Sequence, residues 1–227
     1  MKLSVVVPTL NESKTILKVL KVLDSHELIH EILVIDDGST DNTPKILKAF
    51  KSKKKFTVLT HLSNLGKGAA VRWAFKKITG DFVIIQDADL EYNPKEYKKL
   101  IEKAGKNHVV YGSRIISSNP KAYLRTYLGN VLLTQFCNLL YGTQLTDSYT
   151  CYKLIPTKIA KSLDLSSNGF EIEAEITAQL AKKKILLLEV PISYKPRSYE
   201  KGKKIKAKDA IKGILTYVKL RFDSLQF

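Results

Sequence analysis

The sequence predicts an α/β protein: a mostly parallel central sheet flanked by helices, followed by a basic amphipathic C-terminal helix. Three observations predict it. Strand-like and helix-like segments alternate as βαβαβαβ through residues 3–86, an order that sets successive strands parallel with helices on both faces. The strand-like segments include apolar runs of β-branched and aromatic residues, such as Phe82-Val83-Ile84-Ile85. Polar residues collect just after the strands, at the carboxyl edge where open parallel sheets bind ligands.

Residues 3–8 form the first strand. Residues 13–23 form a helix with Ile16, Leu17, Val19, Leu20 and Leu23 on its inner face. Residues 31–36 are the second strand. Residues 43–50 are a helix, with Asp41 placed as N-cap and Pro44 in the first turn. The third strand and helix are 57–61 and 68–78, and the fourth strand is 81–86. The second half is less regular: a short strand at 109–111, a helix at 122–140, a strand at 148–154, a helix at 171–182 and a strand at 185–192. Residues 197–206 read as a Lys-rich mobile loop. Residues 208–222 return to helical spacing, with Ile211, Ile214, Leu215, Val218 and Phe222 on one side.

At 227 residues and 44% hydrophobic content, the chain fits one domain with a sizeable core. Cys137 and Cys151 show neither metal-ligand spacing nor a disulfide framework, so a reducing, cytoplasmic location is expected. The expectation includes no signal peptide and no transmembrane segment, since no apolar run approaches about 18 residues. Net charge is +16 and uneven: residues 181–227 hold 13 basic and 4 acidic side chains. Such a block suits nucleic acid, an anionic membrane surface or phosphate-bearing substrates, and it also reads as a merely solvated face. No motif of basic and interleaved aromatic residues supports nucleic acid.

Asp87-Ala88-Asp89 stands where the fourth strand ends. Two carboxylates beside a core are costly unless something positive pairs with them, and a divalent cation carrying a nucleotide diphosphate would pair with both. A polar turn is the competing reading. Val6-Val7-Pro8-Thr9-Leu10-Asn11-Glu12, Ile35-Asp36-Asp37-Gly38-Ser39-Thr40-Asp41, Gly66-Lys67-Gly68 and Asp87-Ala88-Asp89, in that order, resemble the nucleotide-sugar domain of family-two glycosyltransferases, with a Rossmann-like GT-A fold. Tyr111-Gly112-Ser113-Arg114, the segment Asp147 to Lys153, and Val190-Pro191-Ile192-Ser193-Tyr194 resemble the dolichyl-phosphate mannose or glucose synthase group.

That resemblance implies an inverting hexosyltransferase. It would move mannose or glucose from a nucleotide sugar, GDP-mannose or UDP-glucose, to a polyprenyl or dolichyl phosphate. Residues 1–206 would be the catalytic domain and 207–227 a helix at the cytoplasmic membrane face. Asp87 and Asp89 would share Mg²⁺ or Mn²⁺, with Glu91 a candidate further contact. Pro8, Asn11, Glu12, Asp37 and Lys67 would serve the nucleotide, with Asp87. The glycines beside Lys67 permit close backbone approach.

An acceptor phosphate with a second pKa of about 6 is already largely dianionic and needs no general base. It must be held, and Arg114 and Arg125 suit that work. Arg197, Lys203 and Lys204 belong to the loop that closes over donor and acceptor in the family. Two departures stand out: Gly129 where mannose synthases tend to have Ser, and Glu91 where many have Gln.

Other readings stay open. Pro8 and Gly68 also read as backbone devices, Asp36 and Asp41 as turn and cap residues, and Trp73 as packing. Glu173 either faces the site or favours the helix dipole. The arginines also suit surface ion pairs. A glycan or other hydroxyl acceptor is the enzymatic alternative, and a basic nucleic-acid binder the alternative of another class.

Overall fold

The computed structural model describes residues 1–117, 119–120, 124–197 and 207–223, without the side chains of Arg125 and Ala207. Its centre is a seven-stranded sheet ordered β3-β2-β1-β4-β6-β5-β7. β1 (Leu3–Thr9) is an interior strand and pairs in parallel with β2 (Ile29–Asp36) and β4 (Phe82–Ile85). β3 (Lys55–Thr60) extends β2 in parallel. β5 (His108–Ser113) and β7 (Leu186–Pro191) form a second parallel pair. β6 (Lys153–Pro156) joins the halves and runs antiparallel to both β4 and β5.

The apolar runs explain this layering. Leu3, Val5, Val6, Val7, Val83 and Ile84 are fully buried, as strands covered on both faces require. Each such side chain contributes about 1.5–3 kcal/mol when removed from water. α1 (Ile16–Ser25), α2 (Thr43–Ala49) and α3 (Lys67–Lys77) are the crossover helices. α1 buries Ile16, Val19, Leu20 and Leu23, the expected stripe. Leu17 departs from expectation and stays 39% exposed, because it is turned about 100° from Ile16 around the helix.

The expected strand at 148–154 is displaced. Asp147, Ser148 and Thr150 are buried polar residues that satisfy themselves through side-chain bonds, such as Thr150 Oγ1 to the Gly112 carbonyl at 2.7 Å. Pairing begins only at Lys153. Three short helical pieces went unpredicted: a 3-10 turn at Pro94–Glu96, α4 (Tyr97–Glu102) and α6 (Thr157–Lys161). Asn93 caps the first by accepting from the Lys95 amide at 3.1 Å.

α5 (Leu124–Tyr141), α7 (Ile172–Lys182) and α8 (Ala207–Phe222) pack together. Tyr217 of α8 is fully buried among Cys137, Ala174 and Ala178. Tyr141 Oη donates to the Tyr217 carbonyl and Lys182 Nζ to the Leu220 carbonyl, both at 2.7 Å. No helix of the described residues is long and apolar enough to cross a membrane.

Glu31 ties the sheet to the turn before β4. Its carboxylate accepts from Ser4 Oγ at 2.5 Å, the Thr79 amide at 2.5 Å and Thr79 Oγ1 at 2.8 Å, and pairs with Lys55. Burial raises its pKa, but these bonds outweigh burial and hold it at about 2, below the usual 4.5. Its stabilisation is therefore complete above pH 4.5 and lost as pH falls through 2. Glu31→Gln is expected to cost about 2 kcal/mol at pH 7 and much less near pH 2, read by urea unfolding at both pH values. An equal loss at both would contradict the assignment.

Candidate active site

The loops leaving β1, β2, β3 and β4 meet at one edge of the sheet. Asn11 follows β1 with φ of 51°, the left-handed region that Asn tolerates. Its Oδ1 accepts from the amides of Thr40 at 2.8 Å and Asp41 at 3.3 Å, which fixes the loop after β2. Asp36 accepts from the Ser39 amide, and Asp41 from the amides of Ser13 and Thr43. Asp36 is a turn residue, while the N-cap of α2 is Asn42 rather than the expected Asp41, whose carboxylate instead bridges the chain after β1 to the start of α2. Pro8 sits within β1 opposite Ile35.

Asp37 is buried and fully engaged. Oδ1 meets His61 Nδ1 at 2.6 Å and the Leu65 amide at 3.0 Å, while Oδ2 accepts from the Gly66 amide at 2.7 Å. His61 stacks on Trp73 with ring centroids 4.9 Å apart and planes 12° from parallel. Trp73, expected as packing, does pack against the core, while sequence reasoning missed His61 as a site residue. The signal was available only as a polar residue at a strand end.

The glycines flanking Lys67 admit the chain itself. Gly66 has φ of 101°, and a Cβ at Gly66 or Gly68 would collide with the carbonyls of Asn168 or Ser167. The Gly68 amide donates to the Asn168 carbonyl at 2.7 Å, so the start of α3 is capped from the segment before α7.

Lys67 reaches the Asp-x-Asp segment. Its Nζ lies 2.8 Å from Asp87 Oδ1, 3.2 Å from Glu173 Oε1 and 3.6 Å from Cys151 Sγ. Glu173 therefore faces this site. Asp89 pairs with a different cation: Arg197 Nη2 at 2.7 Å. The same guanidinium lies 3.4 Å from Glu12 and 3.5 Å from Glu91. Glu91 also accepts from Tyr194 Oη and the Arg197 amide.

The two aspartates are driven apart in acidity. Burial pushes Asp87 up, but Lys67 outweighs it and holds the carboxyl below the usual range. Burial, with the nearby charges of Asp87 and Glu91, pushes Asp89 up to about 7 despite Arg197. With Glu12, Glu91 and Glu173 sharing the same cations, the carboxylates around the pair outnumber Lys67, Lys153 and Arg197.

Arg114 lies at the end of β5. Its Nε and Nη2 form two bonds of 2.7 Å with Asp147, whose side chain is completely buried. The Glu189 carboxylate accepts from the Asp147 amide at 3.0 Å and supports this pair. The guanidinium sits 5.2 Å from the Tyr194 ring and 6.0 Å from that of Tyr92. Tyr194 bonds Glu91, so Arg114 is linked through one side chain to the Asp89 cluster. Arg125 is in the first turn of α5, with its side chain outside the described set. Lys203, Lys204 and the expected loop beyond Arg197 also lie outside the described residues.

The family described as glycosyl transferase family 2 matches residues 4–163. Similar relatives include the low-salt glycan biosynthesis hexosyltransferase Agl6 of Haloferax volcanii, 31% identical over 87% of this chain and 49% of that protein. The UDP-N-acetylglucosamine–dolichyl-phosphate N-acetylglucosaminyltransferase of Methanococcus voltae is 31% identical over 82% of this chain and 83% of that protein. The chain thus spans about half the length of the first of these relatives. Among solved structures, glucosyl-3-phosphoglycerate synthase of Mycobacterium tuberculosis, in complex with Mn²⁺, uridine diphosphate and phosphoglyceric acid, matches with a TM-score of 0.74. It is 17% identical, and the match covers 100% of this chain and 79% of that one. That likeness carries the fold.

Proposed function

This chain belongs to glycosyl transferase family 2, and from that premise we propose that it transfers a hexose, with inversion, from a nucleotide sugar to a polyprenyl or dolichyl phosphate. The donor is GDP-mannose or UDP-glucose. The observation that carries the reading is the charge arrangement at the strand ends: Asp87 and Asp89, each held by its own side-chain cation, with Arg114 against the Tyr194 ring and Tyr194 bonded to their neighbour Glu91. The relative from Methanococcus voltae, whose name gives a dolichyl-phosphate acceptor, supports the acceptor class.

Asp87 and Asp89 fit a divalent metal. They offer hard oxygen donors, and the upward push on Asp89 is what a bound cation would relieve. No group of three His, Cys, Asp or Glu side chains among the described residues could hold an ion alone. The fit is therefore to Mg²⁺ or Mn²⁺ arriving with diphosphate oxygens. When bound, the ion would neutralise charge on the departing nucleoside diphosphate.

The chain's own residues do the rest. Asp37 clamps the amides of Leu65 and Gly66, which starts α3 and delivers Lys67 to the diphosphate. Pro8, Asn11 and Glu12 border the nucleotide. Arg114, with Arg125, Arg197, Lys203 and Lys204, would hold the acceptor phosphate in line with the anomeric carbon. An acceptor oxygen attacks that carbon as its bond to the diphosphate breaks, and the diphosphate leaves with the electron pair. No proton need be removed from a dianionic acceptor. A thermal-shift panel tests donor recognition: GDP or UDP with Mn²⁺ should raise the melting temperature, and no shift with either would reject the reading.

We place the protein on the cytoplasmic face of a membrane as a peripheral protein, with residues 1–206 as catalytic unit and 207–227 as the contacting helix. Leu124, Leu128, Leu132 and Leu139 of α5 are 48–81% exposed and fall within one 80° stripe by helical spacing. On α8, Ile211, Ile214, Leu215 and Phe222 are exposed, flanked by Lys208, Lys212 and Lys219. Apolar residues would enter the interface while the lysines meet anionic headgroups. Vesicles containing phosphatidylglycerol should therefore co-sediment the protein, and Leu132→Gln/Leu215→Gln should reduce binding about tenfold. Equal binding to uncharged vesicles, or no effect of the substitutions, would contradict this placement.

A further inference from the structure

Four ionisable side chains of alternating sign run in a row from the interior to Asp87. Lys153 Nζ is completely buried, 2.5 Å from Glu173 Oε2, and it also donates to the Thr150 carbonyl. It lies 5.1 Å from the centroid of the Tyr111 ring. Glu173 is itself 3% exposed. Its other oxygen, Oε1, lies 3.2 Å from Lys67 Nζ yet accepts no hydrogen bond. Lys67 Nζ donates instead to Asp87 Oδ1 at 2.8 Å and to Cys151 Sγ at 3.6 Å.

A buried ion-pair row is seldom the most stabilising way to fill a core. Its arrangement has a use when Asp87 is required elsewhere. A carboxylate that accepts a divalent ion gives up its lysine, and a buried ammonium left beside the incoming ion would repel it. The unfilled acceptor at Glu173 Oε1 is already within reach of that ammonium. Lys153 fixes the opposite oxygen of the same carboxylate and so keeps the seat in place.

We propose that Glu173, held by Lys153, is the positioning residue that receives Lys67 when Asp87 turns to a divalent cation; this rests on the metal-dependent reading above. Lys67 is thereby kept charged beside the diphosphate instead of competing for its ligand. Glu173 touches neither donor nor acceptor in this role. It acts through Lys67.

The test is Mn²⁺ binding in the presence of UDP or GDP, read by loss of the electron paramagnetic resonance signal of free Mn²⁺. Glu173→Gln keeps the volume of the side chain and removes its charge. It should weaken Mn²⁺ binding about tenfold, because Lys67 is then confined to Asp87. In a Lys67→Met background the same substitution should change the affinity by less than about twofold. If Glu173→Gln alone fails to fold, Glu173→Gln/Lys153→Met keeps the buried charges balanced and should show the same tenfold loss. Wild-type affinity in a folded Glu173 variant, or an equal loss in the Lys67→Met background, overturns the inference while leaving the metal reading intact. No Mn²⁺ binding by the wild-type protein with either nucleotide overturns both.

Discussion

Asp89→Asn is expected to lower sugar transfer about a hundred- to a thousandfold, the size of effect seen when one preorganised transition-state stabiliser is lost, because Asp89 would hold the ion that neutralises the departing diphosphate. It is also expected to leave the fold as stable as before, or more so at alkaline pH. Asp89 is pushed up to about 7 from 3.8, chiefly by burial and then by Asp87 and Glu91. A group raised in this way contributes stability below pH 3.8 and loses that contribution as pH rises through 7. Asn removes the penalty of carrying the charge, and Arg197 keeps Glu12 and Glu91 as partners. Thermal melts at pH 5 and pH 8 should show the variant gaining on the wild type at the higher value. The same acidity makes metal binding pH-dependent: a proton competes for Asp89 below about 7, so the Mn²⁺ affinity of the nucleotide complex should rise with pH up to that point. A variant with wild-type turnover, or one that unfolds, would contradict the role.

The second large effect concerns Arg114, and the structure changes how it must be tested. Both oxygens of Asp147 are bonded by this one guanidinium, and Asp147 has no exposure to water. Arg114→Ala therefore strands a buried carboxylate, at about 3–5 kcal/mol. A loss of activity in that variant alone would report unfolding as readily as acceptor binding. Arg114→Ala/Asp147→Asn removes the stranded charge. It is expected to recover most of the stability while the KM for lipid phosphate stays raised at least about tenfold and nucleotide affinity stays unchanged. Recovery of acceptor use together with stability would make Arg114 a structural residue only.

Much of the nucleotide half was legible in the sequence. β1, β2 and β4 are short apolar runs with polar residues just beyond them, so strand, strand end and candidate ligands could be placed together. Asp36 was identifiable as a turn residue because that chemistry is local, whereas Asp41, expected as the helix cap, sits one residue before the N-cap Asn42 and also bonds the Ser13 amide 28 residues away. The second half was less legible because its polar groups are satisfied at long range. Arg114 finds Asp147 33 residues away, and Lys153 finds Glu173 20 residues away. Spacing does not encode such pairings. Ser148 and Thr150 looked like part of a strand but belong with Asp147 to a buried polar turn held by side chains. Arg197 gave no sign in the sequence that it pairs with the Asp-x-Asp segment, since the two lie 108 residues apart. The 3-10 turn at Pro94–Glu96 was signalled by Asn93-Pro94, a cap followed by Pro, and was overlooked.

The measurement that tests the central claim most directly is transfer of radiolabelled sugar into the organic phase. The protein is incubated with GDP-mannose or UDP-glucose, Mn²⁺ and either dolichyl or undecaprenyl phosphate. Metal-dependent appearance of label in a lipid product, abolished by Asp89→Asn, is the predicted result. Label that reaches only a glycan or other hydroxyl acceptor, or no lipid product from either donor although Mn²⁺ and nucleotide still bind, would contradict it.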